Sequence, residues 1–383
     1  MNDNAWEVSI ARCGDYEHDT VKQALITALA PIGGLDWVRP GMKIAVKANL
    51  LMPAKAEKAA TVHPQVAVAL CELLIEKGAS VVLGDSPGGP FSAGYLNTVY
   101  TTAGMKEILK TGATLNGDMT YRNVSCPEAA IAKELQITSY LLEADAIIDL
   151  CKIKTHGFMA YTGACKNLFG AIPGTRKSEY HFLYQAREKF ADMLVDICEL
   201  LKPRISIADA VIAMEGNGPS GGTPRFMGAI LCSFNPHALD IAAAHLMTMG
   251  MDDVPTLRAA HKRGLIPSDV SSIHVHGDLE SFVIPDFKLV PKYDAHRSDS
   301  SLGSKLFRGM FASRPAIDTA ACVGCAECAN VCPAKAITLS NRRAQIQKSK
   351  CVRCFCCQEF CPKGIITVQR PYVARMLDRQ GRK

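Results

Sequence analysis

Nine of the sixteen cysteines in this 383-residue chain fall between Cys322 and Cys361. They lie in two runs, Cys322–Leu339 (CVGCAECANVCPAKAITL) and Cys351–Val368 (CVRCFCCQEFCPKGIITV), which align without a gap at an offset of 29 residues. Each run contains C-x2-C-x2-C-x3-C-P followed by a β-branched stretch. Two-residue gaps let a tight turn aim three sulfurs and its own N–H groups inward, as a cubane iron–sulfur cluster with soft thiolate ligands requires. The fourth thiolate of each cluster must come from outside the three-cysteine loop. Pro333 and Pro362 follow the last cysteine of each run, where a fixed φ stops a short helix from continuing. Structural zinc is the competing use of clustered cysteines, but zinc sites rarely use two interleaved copies of such a motif.

Over Pro315–Arg370 the chain resembles the bacterial two-[4Fe–4S] ferredoxins, in which the last cysteine of each run ligates the other cluster. The resemblance implies one cluster on Cys322, Cys325, Cys328 and Cys361 and a second on Cys351, Cys354, Cys357 and Cys332. It also implies low-potential one-electron chemistry and two copies of one small unit packed about a pseudo-twofold axis. Cys356 departs from the pattern and reads as a small residue packed beside the second cluster. Thr338 and Thr367, flanked by Ile337, Leu339, Ile366 and Val368, are expected to form the strand pair that closes the module.

Three segments upstream carry further chemistry. Val46-Lys47-Ala48-Asn49 ends one β-rich run, and Gly84-Asp85-Ser86-Pro87-Gly88-Gly89 directly follows another. Polar residues at the C-terminal ends of parallel strands point into the crevice where α/β proteins bind ligands. Neither segment matches a Walker A loop or a G-x-G-x-x-G fingerprint. The third, Asp149–His181, is cationic through Lys152, Lys154, His156, Lys166, Arg176, Lys177 and His181, and its glycines suggest a loop or a broken helix. Such a segment suits an anionic substrate. A histidine there can act as acid or base, and a lysine as base or covalent anchor. The candidate catalytic residues are therefore Lys47, Asp85, His156, Lys166 and His181. Asp209 and Glu215-Gly216-Asn217-Gly218-Pro219 end a further strand and are expected to line the same crevice.

Lys47 with Asn49, the GDSPG turn, the KIKTH segment and the GACKNLFG segment resemble the DUF362 family, whose members often carry a ferredoxin module. That resemblance covers roughly residues 5–290 and implies architecture rather than a reaction. The spacing of His156, Lys166 and His181 is also similar to that of nickel-pincer lactate racemases. There the resemblance implies a lysine that tethers the cofactor and histidines that serve as ligand or acid/base. Ala164-Cys165 stands where that family prefers Gly-Gly.

The elements that must position these residues read as α/β. Candidate strands at Lys43–Asn49, Ser80–Asp85, Ala146–Ile153, Ile205–Val211 and Gly228–Phe234 alternate with helical spacing over Pro64–Lys77 and Phe182–Leu201. A further helix is expected from near His237, after Asn235-Pro236. The expected organisation is a large, mostly parallel α/β domain at 1–291 and a linker at 292–314. A small α+β ferredoxin-type domain with a two-fold repeat follows at 315–370, then a basic tail at 371–383. The tail is read as solvated, or as a docking site for an acidic redox partner.

Hydrophobic residues make up 48% of the chain, enough for a real core, and the net charge of +6 is mild. Basic residues do not interleave with aromatics in any stripe, so no nucleic-acid partner is expected. No uncharged apolar run approaches the roughly eighteen residues of a membrane span. The first residues hold neither a basic nor an apolar leader segment, so the expectation is a cytoplasmic protein with reduced thiols. The function expected is iron–sulfur electron transfer, as an oxidoreductase acting in the α/β crevice on a small-molecule, anionic substrate or a redox partner protein. The alternatives are a non-catalytic carrier with a docking domain, and a racemase-like isomerase with ancillary clusters.

Overall fold

The computed structural model describes residues 6–267, 269–291 and 313–371. Nearly all of the expected linker and basic tail therefore lies outside the described residues.

In chain order the large domain runs β1 (Glu7–Arg12), α1 (His18–Leu29), β2 (Lys43–Ala48), α2 (Pro64–Glu76), β3 (Ser80–Gly84) and α3 (Ala93–Thr102). It continues through β4 (Thr114–Leu115), β5 (Tyr121–Ser125), β6 (Glu134–Thr138), α4 (Ser139–Leu142), β7 (Ala146–His156) and β8 (Ala160–Thr162). After α5 (Ala164–Asn167), α6 (Arg176–Leu183) and α7 (Arg187–Leu201) come β9 (Ile205–Glu215) and β10 (Thr223–Ser233). The domain closes with α8 (Pro236–Leu246), α9 (Pro255–Lys262) and β11 (His274–His276).

Nine strands form one sheet in the order β11-β1-β10-β9-β7-β2-β3-β4, with β8 folded back on β7. The block β9-β7-β2-β3-β4 is parallel throughout, whereas β10 runs antiparallel to both β9 and β1. This is the mostly parallel α/β sheet expected, with an antiparallel flank that the sequence pattern did not reveal. The central strands are buried on both faces, which is why β2 and β7 read as nearly unbroken apolar runs rather than as alternating ones. One apolar cluster gathers Leu25, Val46, Leu70 and Leu83; another gathers Phe158, Phe190, Leu194 and Leu239.

Local chemistry starts the helices where expected. Pro64 opens α2 after His63, whose Nδ1 accepts from the Gln65 N–H, and Pro236 opens α8 after Asn235, whose side chain accepts from the His237 and Ala238 N–H groups. The single helix expected over Phe182–Leu201 is instead two, because the chain leaves helical conformation at Tyr184–Ala186. The break lets the His181 ring stack on Phe190 with centroids 4.2 Å apart. In a continuous helix those residues would be separated by about 13 Å of rise.

The small module consists of β12 (Arg314–Ile317), β13 (Ile337–Ser340), β14 (Arg343–Ile346), β15 (Ile366–Gln369) and two four-residue helices, Glu327–Asn330 and Cys356–Glu359. The two β-branched runs do not pair with one another as expected. β13 pairs with β14 through the two-residue turn Asn341-Arg342, both at positive φ, and β15 pairs with β12. A two-residue turn with left-handed geometry makes the local hairpin the cheaper closure.

Candidate functional site between the strand ends and the module

Asn49 follows β2, Asp85 follows β3, and Lys154 and His156 sit near the end of β7, all at the C-terminal ends of parallel strands. With Ser86, Thr162, Lys166, Asn167, Phe169, Lys177, Pro219, Glu359 and Phe360 they line a cavity of about 490 Å³ including its mouth. Alternation along β7 puts Lys152, Lys154 and His156 on one face of the strand. Lys152 pairs with Asp209 at 2.7 Å, Lys154 donates to Asn49 and the Ala60 carbonyl, and His156 reaches Glu359.

The segment Asp149–His181 is therefore more regular and more buried than the loop or broken helix its glycines suggest. It forms β7, β8, α5 and α6, and Lys152, Lys154, Lys166, Lys177 and both histidines are buried. Lys47 is fully buried beneath the cavity, where its Nζ lies 2.9 Å from Asp85 Oδ1 and donates to Asn167 Oδ1 and the Ala48 carbonyl. Asp85 also accepts from the Leu50 and Ser86 N–H groups. Gly170 packs so tightly against Lys47 and Asp85 that a Cβ there would overlap both. Lys177 donates to the Ser86 and Ile172 carbonyls. Lys166 has no hydrogen-bond or ion-pair partner among the described residues; its ammonium lies 5.2 Å from the Phe169 ring centre.

Of the candidate residues, Asp85, His156 and Lys166 line the cavity, while Lys47 and His181 stand outside its lining. Asp209 and Glu215 do not line it, against expectation. Asp209 is consumed by Lys152, the Tyr16 hydroxyl and the His63 N–H, and Glu215 accepts from the Lys288 N–H.

Burial and like charges set the protonation states. Burial, with Lys166 and Lys152 nearby, pulls Lys154 down to about 7. Burial likewise pulls Lys177 down to about 7, opposed by Asp85. His156 falls to about 4 and His181 to about 3, burial outweighing the attraction of Glu359 in both. For Glu359 burial acts upward, but Lys166, His156 and His181 prevail and hold the carboxyl well below its usual range. His156 Nδ1 accepts from the Phe158 and Met159 N–H groups, each at 3.1 Å. The imidazole is thus neutral with its proton on Nε2, the nitrogen 2.8 Å from Glu359 Oε1.

Glu359 belongs to the cysteine-rich module, so both domains build this cavity. Around it the module docks through Gln358, whose Nε2 donates to Asn217 Oδ1 at 2.6 Å and whose carbonyl accepts from the Ser220 hydroxyl. Asn217 donates in turn to the Gly364 and Ile366 carbonyls. Phe355 stacks on Phe158, and Gly157 leaves room for Gln358. Asn217 is thus a docking residue, and the sequence reading missed Phe355, Gln358, Glu359 and Phe360 altogether. A signal for them existed in the repeat. At the positions matching Ala326, Ala329, Asn330 and Val331 of the first copy, the second copy has Phe355, Gln358, Glu359 and Phe360. Asn330 is exposed whereas Glu359 is buried. The mismatches between the copies mark the face that docks.

Within the module, the cysteines sort into two sets. One cavity is lined by Cys322, Cys325, Cys328 and Cys361, another by Cys332, Cys351, Cys354 and Cys357 together with Cys356. The Ala344 N–H points at Cys322 Sγ (3.4 Å) and the Ala336 N–H at Cys332 Sγ (3.2 Å), the type of contact that supports cluster sulfur ligands. Four thiols lining one cavity and five the other fit the chemistry of iron–sulfur clusters.

A family model described as a domain of unknown function, DUF362, matches residues 44–245. The chain belongs to the DUF362 family. In this DUF362 protein, residues 314–362 match a 4Fe–4S dicluster domain, which makes it an iron–sulfur protein. It is 28% identical over 290 residues to a thylakoid-associated protein of Synechocystis sp., covering 74% of this chain and 87% of that one. The lactate racemase apoprotein of Thermoanaerobacterium thermosaccharolyticum gives a TM-score of 0.40 at 11% identity, over 64% of this chain and 57% of that chain. A crystal structure from Thermotoga maritima gives 0.36 at 13% identity, over 61% and 60%. The DUF362 protein thus spans less than two thirds of either solved chain. Among the described residues no helix is long and apolar enough to cross a membrane.

Proposed function

We propose that this protein is an iron–sulfur oxidoreductase acting on a small anionic substrate held between the strand ends and the ferredoxin module. The observation that carries the reading is Glu359. It stands on the helix Cys356–Glu359, which also bears Cys357, and its carboxylate forms the wall of the cavity beside His156. Two [4Fe–4S] clusters, held by Cys322, Cys325, Cys328 and Cys361 and by Cys332, Cys351, Cys354 and Cys357, supply one-electron transfer when bound. Fusion of a redox module to the cavity raises the effective concentration of electron donor at its acceptor.

The chain's own groups account for substrate binding and proton handling. Lys166, unpartnered at the cavity, is the anchor for an anionic group, with Lys154 and Lys177 adding positive field. Neutral His156 presents an Nε2–H that can donate a hydrogen bond to a substrate oxygen, and ionised Glu359 can accept one from a substrate hydroxyl. Phe169, Pro219 and Phe360 restrict water, which strengthens each of these interactions.

The isomerase reading is second, because His156 and His181 both face Glu359, at 2.8 and 3.8 Å. Proton exchange at a carbon needs acid/base groups on its two sides, and His181 does not line the cavity.

The test is anaerobic purification with metal analysis, then titration of the reduced protein with small anions such as oxalate, lactate and inorganic phosphate. About eight irons and eight acid-labile sulfides per chain are expected. An anion whose reduction or oxidation is lost in Lys166→Ala and His156→Ala, with iron content unchanged, supports the oxidoreductase. Electron delivery to partner proteins that neither substitution alters makes the protein a carrier. Nickel, or a mass adduct on Lys166, would promote the isomerase.

A further inference from the structure

Lys166 and Asn167 are carried by α5, which is only four residues long and cannot hold its own shape. Part of its support is visible. Asp240, on α8, accepts from the Ala164 N–H at 2.6 Å and the Cys165 N–H at 3.0 Å, and from the Tyr161 hydroxyl. The side chain of Cys165 points to a second support. The metal-binding atoms of Cys165 on α5, Cys198 on α7 and His237 on α8 all lie within 4.8 Å of one another, and all three residues are buried. Nothing in the redox module or the cavity uses them.

The histidine is arranged as metal-ligating histidines are. Its Nε2 stands 3.1 Å from Glu199 Oε1, which fixes the ring, while its buried Nδ1 has no partner of hydrogen-bond geometry among the described residues. One nitrogen held by a carboxylate and the other left free for a metal is the usual outer-shell arrangement. Two thiols and an imidazole are soft to borderline donors, which select zinc(II) or copper(I) over magnesium or calcium.

We propose that Cys165, Cys198 and His237 bind one thiophilic d10 ion, zinc(II) or copper(I), which ties α5 to α7 and α8 and so fixes Lys166 at the cavity. Binding displaces the two thiol protons to solvent, and no electron changes hands. With zinc the dithiolate core is electrically neutral, which suits full burial. The site is separate from the ferredoxin cysteines and does not depend on what reaction the cavity performs.

The experiment uses the full-length, cluster-loaded protein, purified anaerobically after growth with zinc and, separately, with copper. Metals are counted per chain, and the zinc or copper edge is examined by X-ray absorption. The expected result is about one zinc or copper per chain bound through two sulfurs near 2.3 Å and a nitrogen near 2.0 Å. Which ion fills the site decides between the two. Cys198→Ser should take that ion from about one per chain to none while the iron content stays at the wild-type value. Should Cys198→Ser fail to fold and lose its iron too, the wild-type absorption spectrum decides by itself. Absence of both ions from the wild type would overturn the proposal. So would a four-sulfur shell, which puts the ion in the ferredoxin motif, equal occupancy in a folded Cys198→Ser, or a Cys165–Cys198 disulfide found by mass spectrometry.

Discussion

Replacing Glu359 by glutamine removes the one charge that the ferredoxin module contributes to the cavity, while keeping the size of the side chain. Glu359 is 5% exposed, and its Oε1 lies 2.8 Å from His156 Nε2 and 3.8 Å from His181 Nε2. His156 and His181, with pKa values near 4 and 3, are neutral, and Lys166 is not within ion-pair distance, so no full ion pair is broken. What the substitution removes is the charge-assisted contact between the carboxylate and the His156 imidazole, and contacts of that kind are worth about 1.5–3 kcal/mol. A loss of about 2 kcal/mol is on the order of thirtyfold in the balance between docked and undocked module. The assay is amide hydrogen exchange at neutral pH on the cluster-loaded protein. Exchange in the Cys356–Glu359 helix, β15 and the Gly216–Ser220 segment should rise by that factor in Glu359→Gln, with α2 unchanged. The matching change in the first repeat, Asn330→Asp, should do nothing. A Glu359→Gln protein that exchanges like wild type would refute the claim that this charge holds the module in place.

Cys332→Ser should leave about half of the iron and abolish the signal of the cluster on Cys351, Cys354 and Cys357, as seen by iron assay and electron paramagnetic resonance. Loss of the other signal would reverse the crossed assignment. The folded protein keeps His156 and His181 neutral below the ordinary histidine value, so the unfolded chain takes up their protons first and stability falls on acidification. From pH 7 to pH 5.5 the loss should be about 1 kcal/mol per histidine, read as a shift in urea midpoint, and His156→Gln should flatten the slope. Lys154 and Lys177 lose their protons near pH 7, so binding of oxalate by calorimetry should weaken by up to about tenfold per lysine for each pH unit above that. Affinity that does not change from pH 6 to pH 9 would remove both from the anion site.

The features legible in the sequence were those set by local spacing. The cysteine repeat, the strand ends at Lys47 and Asp85, and the starts of α2 and α8 each depend on residues within one turn or one strand. Other features depended on what meets across the fold. The KIKTH run read as part of a cationic loop because the partners of its side chains, Asp209, Asn49 and Glu359, lie 57, 105 and 203 residues away in sequence. Asp209 looked available for the same reason. The β13–β14 hairpin escaped notice because the β-branched runs advertised a symmetric pairing, while a short turn at Asn341-Arg342 won locally. The docking face was present only as a difference between the two repeats, which a search for likeness passes over.

That face has a consequence for how the protein is made. The helix bearing Gln358 and Glu359 is bounded by Cys354 and Cys361, and Cys357 lies within it, so its shape depends on cysteines assigned to both clusters. Metal-ligated segments of this size gain their fold when the metal arrives. A newly synthesised chain that has folded its α/β sheet but has not yet received iron therefore lacks one wall of its own cavity. Maturation then imposes an order in time: the pocket closes only after cluster delivery.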